Sequence, residues 1–204
     1  MVRGVRIMAL AAGAALLISG LADAAAADHV RLRGTIESVD GDSLKVHTRD
    51  GKEATVMLKP GWAVTGVAKA SAADIKAGDF VGIASQATAS GVNGALEVLV
   101  FPPAMKGVGE GDRPYDLQPN SSMTNGTVAN TVTAVEGPTL TLAFQGKEKK
   151  ISIPPGTPVV TFVPATKDDV KAGAGVFING DSAGDGMVAA DRVVVGVQGV
   201  IPPM

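Results

Sequence analysis

The sequence predicts an all-β chain built from two similar small barrels, and three observations carry that expectation. One pattern of turns and apolar residues occurs twice, displaced by 95 residues over most of its length. Within each copy, apolar and polar residues alternate with the period of a half-buried strand. Asp-Gly and related turn pairs separate the alternating runs at hairpin spacing. The chain has 204 residues, enough for one large or two small domains with cores of their own. It contains no Cys and only two His. Disulfides, thiolate nucleophiles, Cys-bound zinc and a three-His metal site are therefore excluded. A formal net charge of -2 argues against bulk electrostatic binding of nucleic acid.

Residues 1–27 read as a signal peptide. Arg3 and Arg6 precede the apolar run from Ile7 to Ile18, and small residues fill Ala22 to Ala27 before the first polar stretch at Asp28. The run is shorter than the ~20 residues needed to span a bilayer. A lipoprotein anchor would require a cysteine. The expectation is a periplasmic or secreted protein with no transmembrane segment in the mature chain.

Residues 28–103 read as the first barrel repeat. Val30, Leu32, Gly34 and Ile36 alternate with Arg31, Arg33, Thr35 and Glu37, and parity slips at Ser38-Val39, which predicts a bulge before the Asp40-Gly41 turn. Leu44 and Val46 then point inward, Asp50-Gly51 makes a second turn, and Ala54 to Leu58 follows. Ala72 to Ala77 is long enough for one or two helical turns, closed by Gly78. Phe80 to Ser85 and Leu96 to Phe101 supply the last strands. Residues 104–125 lack strand periodicity and read as a linker. Residues 126–204 repeat the unit: Gly126-Thr127-Val128 answers Gly34-Thr35-Ile36, and Leu140, Leu142, Ile151 and Ile153 answer Leu44, Val46, Val56 and Leu58. Asp169-Val170-Lys171-Ala172-Gly173 answers Asp74-Ile75-Lys76-Ala77-Gly78. Five or six short strands and one helical turn per copy fit a small OB-like barrel, so the expected architecture is two such barrels in tandem.

Each copy resembles a bacterial exported family catalogued as domain of unknown function 5666. The motifs that carry the resemblance are Gly34-Thr35-Ile36, Val39-Asp40-Gly41 with Leu44 and Val46, and Asp74-Ile75-Lys76-Ala77-Gly78-Asp79-Phe80-Val81. The second copy departs at Ala174-Gly175, where Asp79-Phe80 stand in the first. The resemblance implies an extracytoplasmic β-barrel and brings no catalytic residue with it.

No constellation for catalysis stands out, and no catalytic residue, cofactor or metal site is assigned. There is no Gly-x-Ser-x-Gly nucleophile elbow, and the clefts of carboxylate-pair glycosidases are normally lined by the aromatics that are scarce here. Asn179, Asp181 and Asp185 do not follow calcium-loop spacing, and Asp185-Gly186 is an ordinary hairpin turn. Gly107, Gly109 and Gly111 lack the Lys-Ser/Thr pair of a phosphate loop. Arg31, Arg33, Lys45, His47 and Arg49 form a basic stripe without interleaved aromatics, which reads as a solvated strand face and not as a nucleic-acid surface. Two places remain as partner-binding candidates. Trp62, whose counterpart is Thr157, is either packed or available for recognition. In the linker, Arg113, Tyr115 and Asp116 bring a planar donor fork, a rigid ring and an acceptor together around Pro114, and either clamp the barrels or contact a partner. The expected function is a non-enzymatic binding or structural module of the bacterial cell envelope, with an envelope protein or polysaccharide as partner and no nucleic acid. The alternative is an accessory protein binding a small ligand, a carbohydrate or a divalent cation.

Overall fold

Left-handed residues at tight turns fold the chain into hairpins. Gln145 and Gly146 have φ of 47° and 74°, and Asp185 and Gly186 have 50° and 74°. Two consecutive positive φ values make the turn whose twist suits a β-hairpin. The computed structural model describes residues 28–133 and 137–204. The expected signal peptide and Val135-Glu136 of the second-copy turn lie outside the described residues.

The protein is all-β, with helix among the described residues limited to three one-turn 3-10 segments, Ala72–Asp74, Pro103–Met105 and Lys167–Asp169. The first and third stand where each repeat was expected to turn. In the first half, β1 (His29–Asp40), β2 (Ser43–Thr48) and β3 (Glu53–Lys69) form a meander, followed by the hairpin β4 (Phe80–Ala87) and β5 (Asn93–Val100). After β6 (Gly111–Tyr115), the second half repeats the order with β7 (Ser121–Val132), β8 (Thr139–Phe144), β9 (Lys147–Ser152), β10 (Val159–Val163), β11 (Gly175–Gly184) and β12 (Met187–Gly196). The register shifts between Ile36 and Ser38, beside the parity slip at Ser38-Val39, and at the matching place between Val128 and Asn130.

β1, β2, β3, β12 and β11 close into a five-stranded barrel. All its pairings are antiparallel except β3–β12, which is parallel. β7, β8, β9, β5 and β4 pair in the matching ring, completed by a short parallel contact of Asn93 with Ile151 and Gly94 with Ser152. These pairings correct the tandem expectation in which residues 28–103 and 126–204 each close on themselves. The C-terminal hairpins are exchanged, so β11–β12 complete the ring of β1–β3 and β4–β5 complete the ring of β7–β9. The cause lies in β3. It runs on for 17 residues, at ~3.3 Å each, past the end of β2, and pairs antiparallel with β10 while β12 still covers its other edge at Gly66 and Val67. Trp62 therefore lies inside β3.

The crossing is two-fold symmetric in register. Val67 faces Phe162, its own counterpart in the repeat, while Gly66 faces Val163 and Ala68 faces Thr161. Around this crossing Val67, Phe80, Leu99, Phe101, Val160, Phe177 and Met204 form a buried core between the rings. Each ring has its own core as well. Ile36, Leu44, Val46, Val56 and Leu58 fill one, and Val128, Leu140, Leu142, Ile151 and Ile153 fill the other. Burying a side chain of this size stabilises by roughly 1.5–3 kcal/mol.

The expected linker also differs from its sequence reading. Gly111–Tyr115 pairs antiparallel with β7 from Asn125 to Ser121. Pro114 hides the strand from sequence periodicity, and it is tolerated because β6 is an edge strand.

The glycine that opens each copy has a steric reason. A Cβ on Gly34 would stand 2.2 Å from the His47 carbonyl oxygen, and one on Gly126 would stand 2.8 Å from that of Ala143. Backbone cannot yield as a flexible side chain does. Gly34→Ala should cost about 3 kcal/mol, at the upper end for overpacking, read from urea unfolding; a loss below ~1 kcal/mol would mean that β1 shifts aside freely.

Candidate functional site

Strand parity places the key arginine. In β1 the even-numbered residues face the barrel core, with Leu32 and Ile36 buried, so Arg31 and Arg33 point outward. Arg33 nevertheless retains only 10% of its side-chain exposure. Its guanidinium lies 5.3 Å from the centre of the Tyr115 ring and 5.2 Å from that of Phe177. It donates to both carboxylate oxygens of Asp116, at 2.8 and 3.3 Å, and through Nε to the carbonyl of Met204. Arg31 sits 5.2 Å from the Tyr115 ring centre and 3.6 Å from Asp116. A planar fork between two rings with a bidentate carboxylate is the arrangement in which Arg cannot be replaced by Lys.

Tyr115 and Asp116 thus fasten the segment after β6 to the other barrel. Arg113 does not join them; its Nη1 donates to Gly109 O at 2.9 Å. Trp62 lies elsewhere, 8% exposed, donating from Nε1 to Asp42 at 3.1 Å with Lys167 Nζ 4.3 Å from its ring centre. His47 is exposed and 3.6 Å from Glu37. Asp181 pairs with Lys59 at 2.9 Å and His29 at 3.5 Å, and among the described residues no three His, Asp or Glu are grouped to hold a metal ion.

Two features escape sequence reading. Arg33 belongs to a stripe that looks solvated, and nothing local marks it as buried. Glu97 is the second. It is 2% exposed, and neither carboxylate oxygen has a hydrogen bond among the described residues. Its place in the apolar run Ala95-Leu96-Glu97-Val98-Leu99 was the available signal. Burial pushes its carboxyl up to about 7, against the pull of Arg33 and Arg49 and with a further push from Asp116. Burial also raises Tyr115, reinforced by the Glu97 charge. For Asp116, burial pushes up but the Arg33 hydrogen bond and the charges of Arg33 and Arg31 prevail, leaving it below its ordinary value.

Next to the clamp, the first barrel has an open slit of about 530 Å³ between the start of β1, the β2–β3 turn, the start of β12 and Asp116-Leu117 of the clamp segment. Val30, Leu32, Ala54 and Val188 form its apolar floor, and Arg31, Arg33, Arg49 and Lys52 stand at its rim with Asp50 and Glu53. The matching place in the other ring is closed. There β6 lies on β7, and Asp112 accepts from Thr124 at 2.6 Å and from Lys149 at 3.0 Å. Lys149 also donates to Ser122 at 2.7 Å. Ser122, Thr124 and Lys149 correspond to Val30, Leu32 and Ala54, so one ring has a polar plug where the other has an apolar opening.

The folded chain holds the Glu97 proton to about pH 7, whereas the unfolded chain releases it near its ordinary value of 4.5. Stability therefore falls as pH rises through that window and levels off above it. Glu97→Gln should remove this slope, giving little gain at pH 4.5 and a gain on the order of 3 kcal/mol at pH 8. Urea unfolding at both pH values measures it, and an equal gain at both would show that the carboxyl does not titrate on folding.

Comparison with protein-family models, curated proteins and solved structures gives no match for this chain, and the family resemblance rests on the quoted motifs alone.

Proposed function

We propose that the chain is an exported, non-enzymatic binding module of the bacterial cell envelope, made by duplication of one OB-like unit whose terminal hairpins are exchanged. One observation carries the binding reading: the slit beside β1 is open where the matching place in the other ring is closed by β6 and its Asp112–Lys149 plug. A scaffold with no partner gains from closing both. The strand order around each ring and its single parallel pairing support the OB-like assignment, and the motif resemblance together with Arg3, Arg6 and the apolar run supports export. The rim of charged groups over an apolar floor suits a protein segment. A small carbohydrate is the second reading, favoured by a volume within the ~300–1,000 Å³ of ligand pockets. Against it, the slit has no aromatic lining.

Two measurements test this. Expressed from its first Met, the chain should be recovered in the periplasm or medium with a new N-terminus between Ala22 and Ala27; a full-length cytoplasmic product would end the export reading. The exported chain should capture an envelope protein that an Arg31→Glu/Arg49→Glu variant does not. A thermal shift with a sugar, and no charge-sensitive capture, would reverse the order of the two readings.

A further inference from the structure

We propose that the edge of β1 from His29 to Leu32 accepts an extended peptide strand, with small apolar residues toward the slit and acidic residues on its outer side. This inference rests on the binding reading above and names the partner's chemistry.

Among the described residues, the edge has unused main-chain groups. Ser182 N donates to Asp28 O and Ile36 N to Ala174 O, so even-numbered residues of β1 turn their main-chain groups toward β11. Odd-numbered residues turn theirs the other way, where β2 and the residue after it cover β1 from Arg33 onward. Arg33 O receives Arg49 N at 2.8 Å. Among the described residues, no strand pairs with His29 or Arg31 on that side. An exposed edge of this kind is a template for strand addition.

The chain itself shows what such an addition looks like. In the other ring β6 covers the matching edge, with Gly111 opposite Asn125, Arg113 opposite Met123 and Tyr115 opposite Ser121. These β7 residues correspond to Arg33, Arg31 and His29. The residues of β6 between them, Asp112 and Pro114, turn toward the polar plug. A guest on β1 would turn the same positions toward Val30, Leu32 and Ala54, which calls for apolar side chains. Its outer residues would stand opposite His29 and Arg31, the place opposite Arg33 being taken by Arg49; Asp116 beside them already shows a carboxylate held by Arg31 and Arg33. Arg49, at the rim, is exposed and has no ion pair among the described residues. A second copy is the poorer guest: antiparallel pairing of two β1 edges about Arg31 sets like charges against each other.

The probe is the capped peptide Glu-Val-Glu-Val-Glu, added to the exported chain and followed by amide hydrogen exchange and NMR shifts. At low-millimolar peptide, the amide of Arg31 should gain protection and the shifts should concentrate at His29–Leu32. N-methylation of the central Glu removes the N–H that faces β1 and should weaken binding at least tenfold. N-methylation of the first Val, whose N–H faces away, should change it less than threefold. Arg31→Glu, an exposed substitution, should also weaken it at least tenfold. No response at His29–Leu32, or equal binding of the two methylated peptides, overturns the proposal. If envelope capture succeeds while the peptide fails, the binding reading stands and the edge does not. Peptide binding without any envelope partner upholds the edge and overturns the envelope partner.

Discussion

Neither ring closes with the strands of its own half. β1, β2 and β3 expose two strand edges that only β11 and β12 cover, and β7, β8 and β9 depend on β4 and β5 in the same way. Unpaired main-chain groups beside a hydrophobic core are costly, so each half is unfinished until the other is in place. The two ring cores and the aromatic core at the Val67–Phe162 crossing are consequently parts of one cooperative structure. Phe101 contacts Phe80 and Phe162 with ring centres 5.2 and 5.7 Å apart, binding the exchanged strands where they cross.

On this symmetric frame the differences are concentrated on one side. β6 closes one ring and then sends Tyr115 and Asp116 onto the other, where Arg31 and Arg33 hold them. The counterpart of Arg33 is Asn125, which donates to Val108 O at 3.1 Å, and the counterpart of Glu97 is Arg192. Neither the buried Glu97 nor the largely covered Arg33 has a counterpart of its own kind, and Arg33 lines the open slit. Such groups are costly unless paired. Arg33 is fully engaged; Glu97 is not.

Much of this was legible in the sequence because it is local. Alternation located Leu32, Ile36, Leu44 and Val46, the parity slip at Ser38-Val39 located the bulge in β1, and Asp-Gly pairs located the turns. The all-β class follows from those signals. Which hairpin completes which ring is not a local property: Phe80 to Val100 would have the same alternation in either ring, and only the path of β3 decides. The candidate site was legible in part for the same reason. Tyr115 and Asp116 stood out as chemistry concentrated in a segment without a repeat counterpart, but the partner that buries them, Arg33, is distant in sequence. β6 was missed because Pro114 and flanking charges mask an edge strand that owes its conformation to β7.

The hairpin exchange also sets the order in which the protein can assemble. β1 forms near the start of the chain and pairs with β11, whose residues come last but for one strand and a short tail. The first barrel, closed as it is by β11 and β12, is not complete while only the first half has emerged from a ribosome, and its open edges wait for β11 and β12. Contacts this distant slow folding, because long loops must be closed before any gain is realised. A chain truncated before β11 would therefore lose the barrel at its beginning as well as the strands at its end.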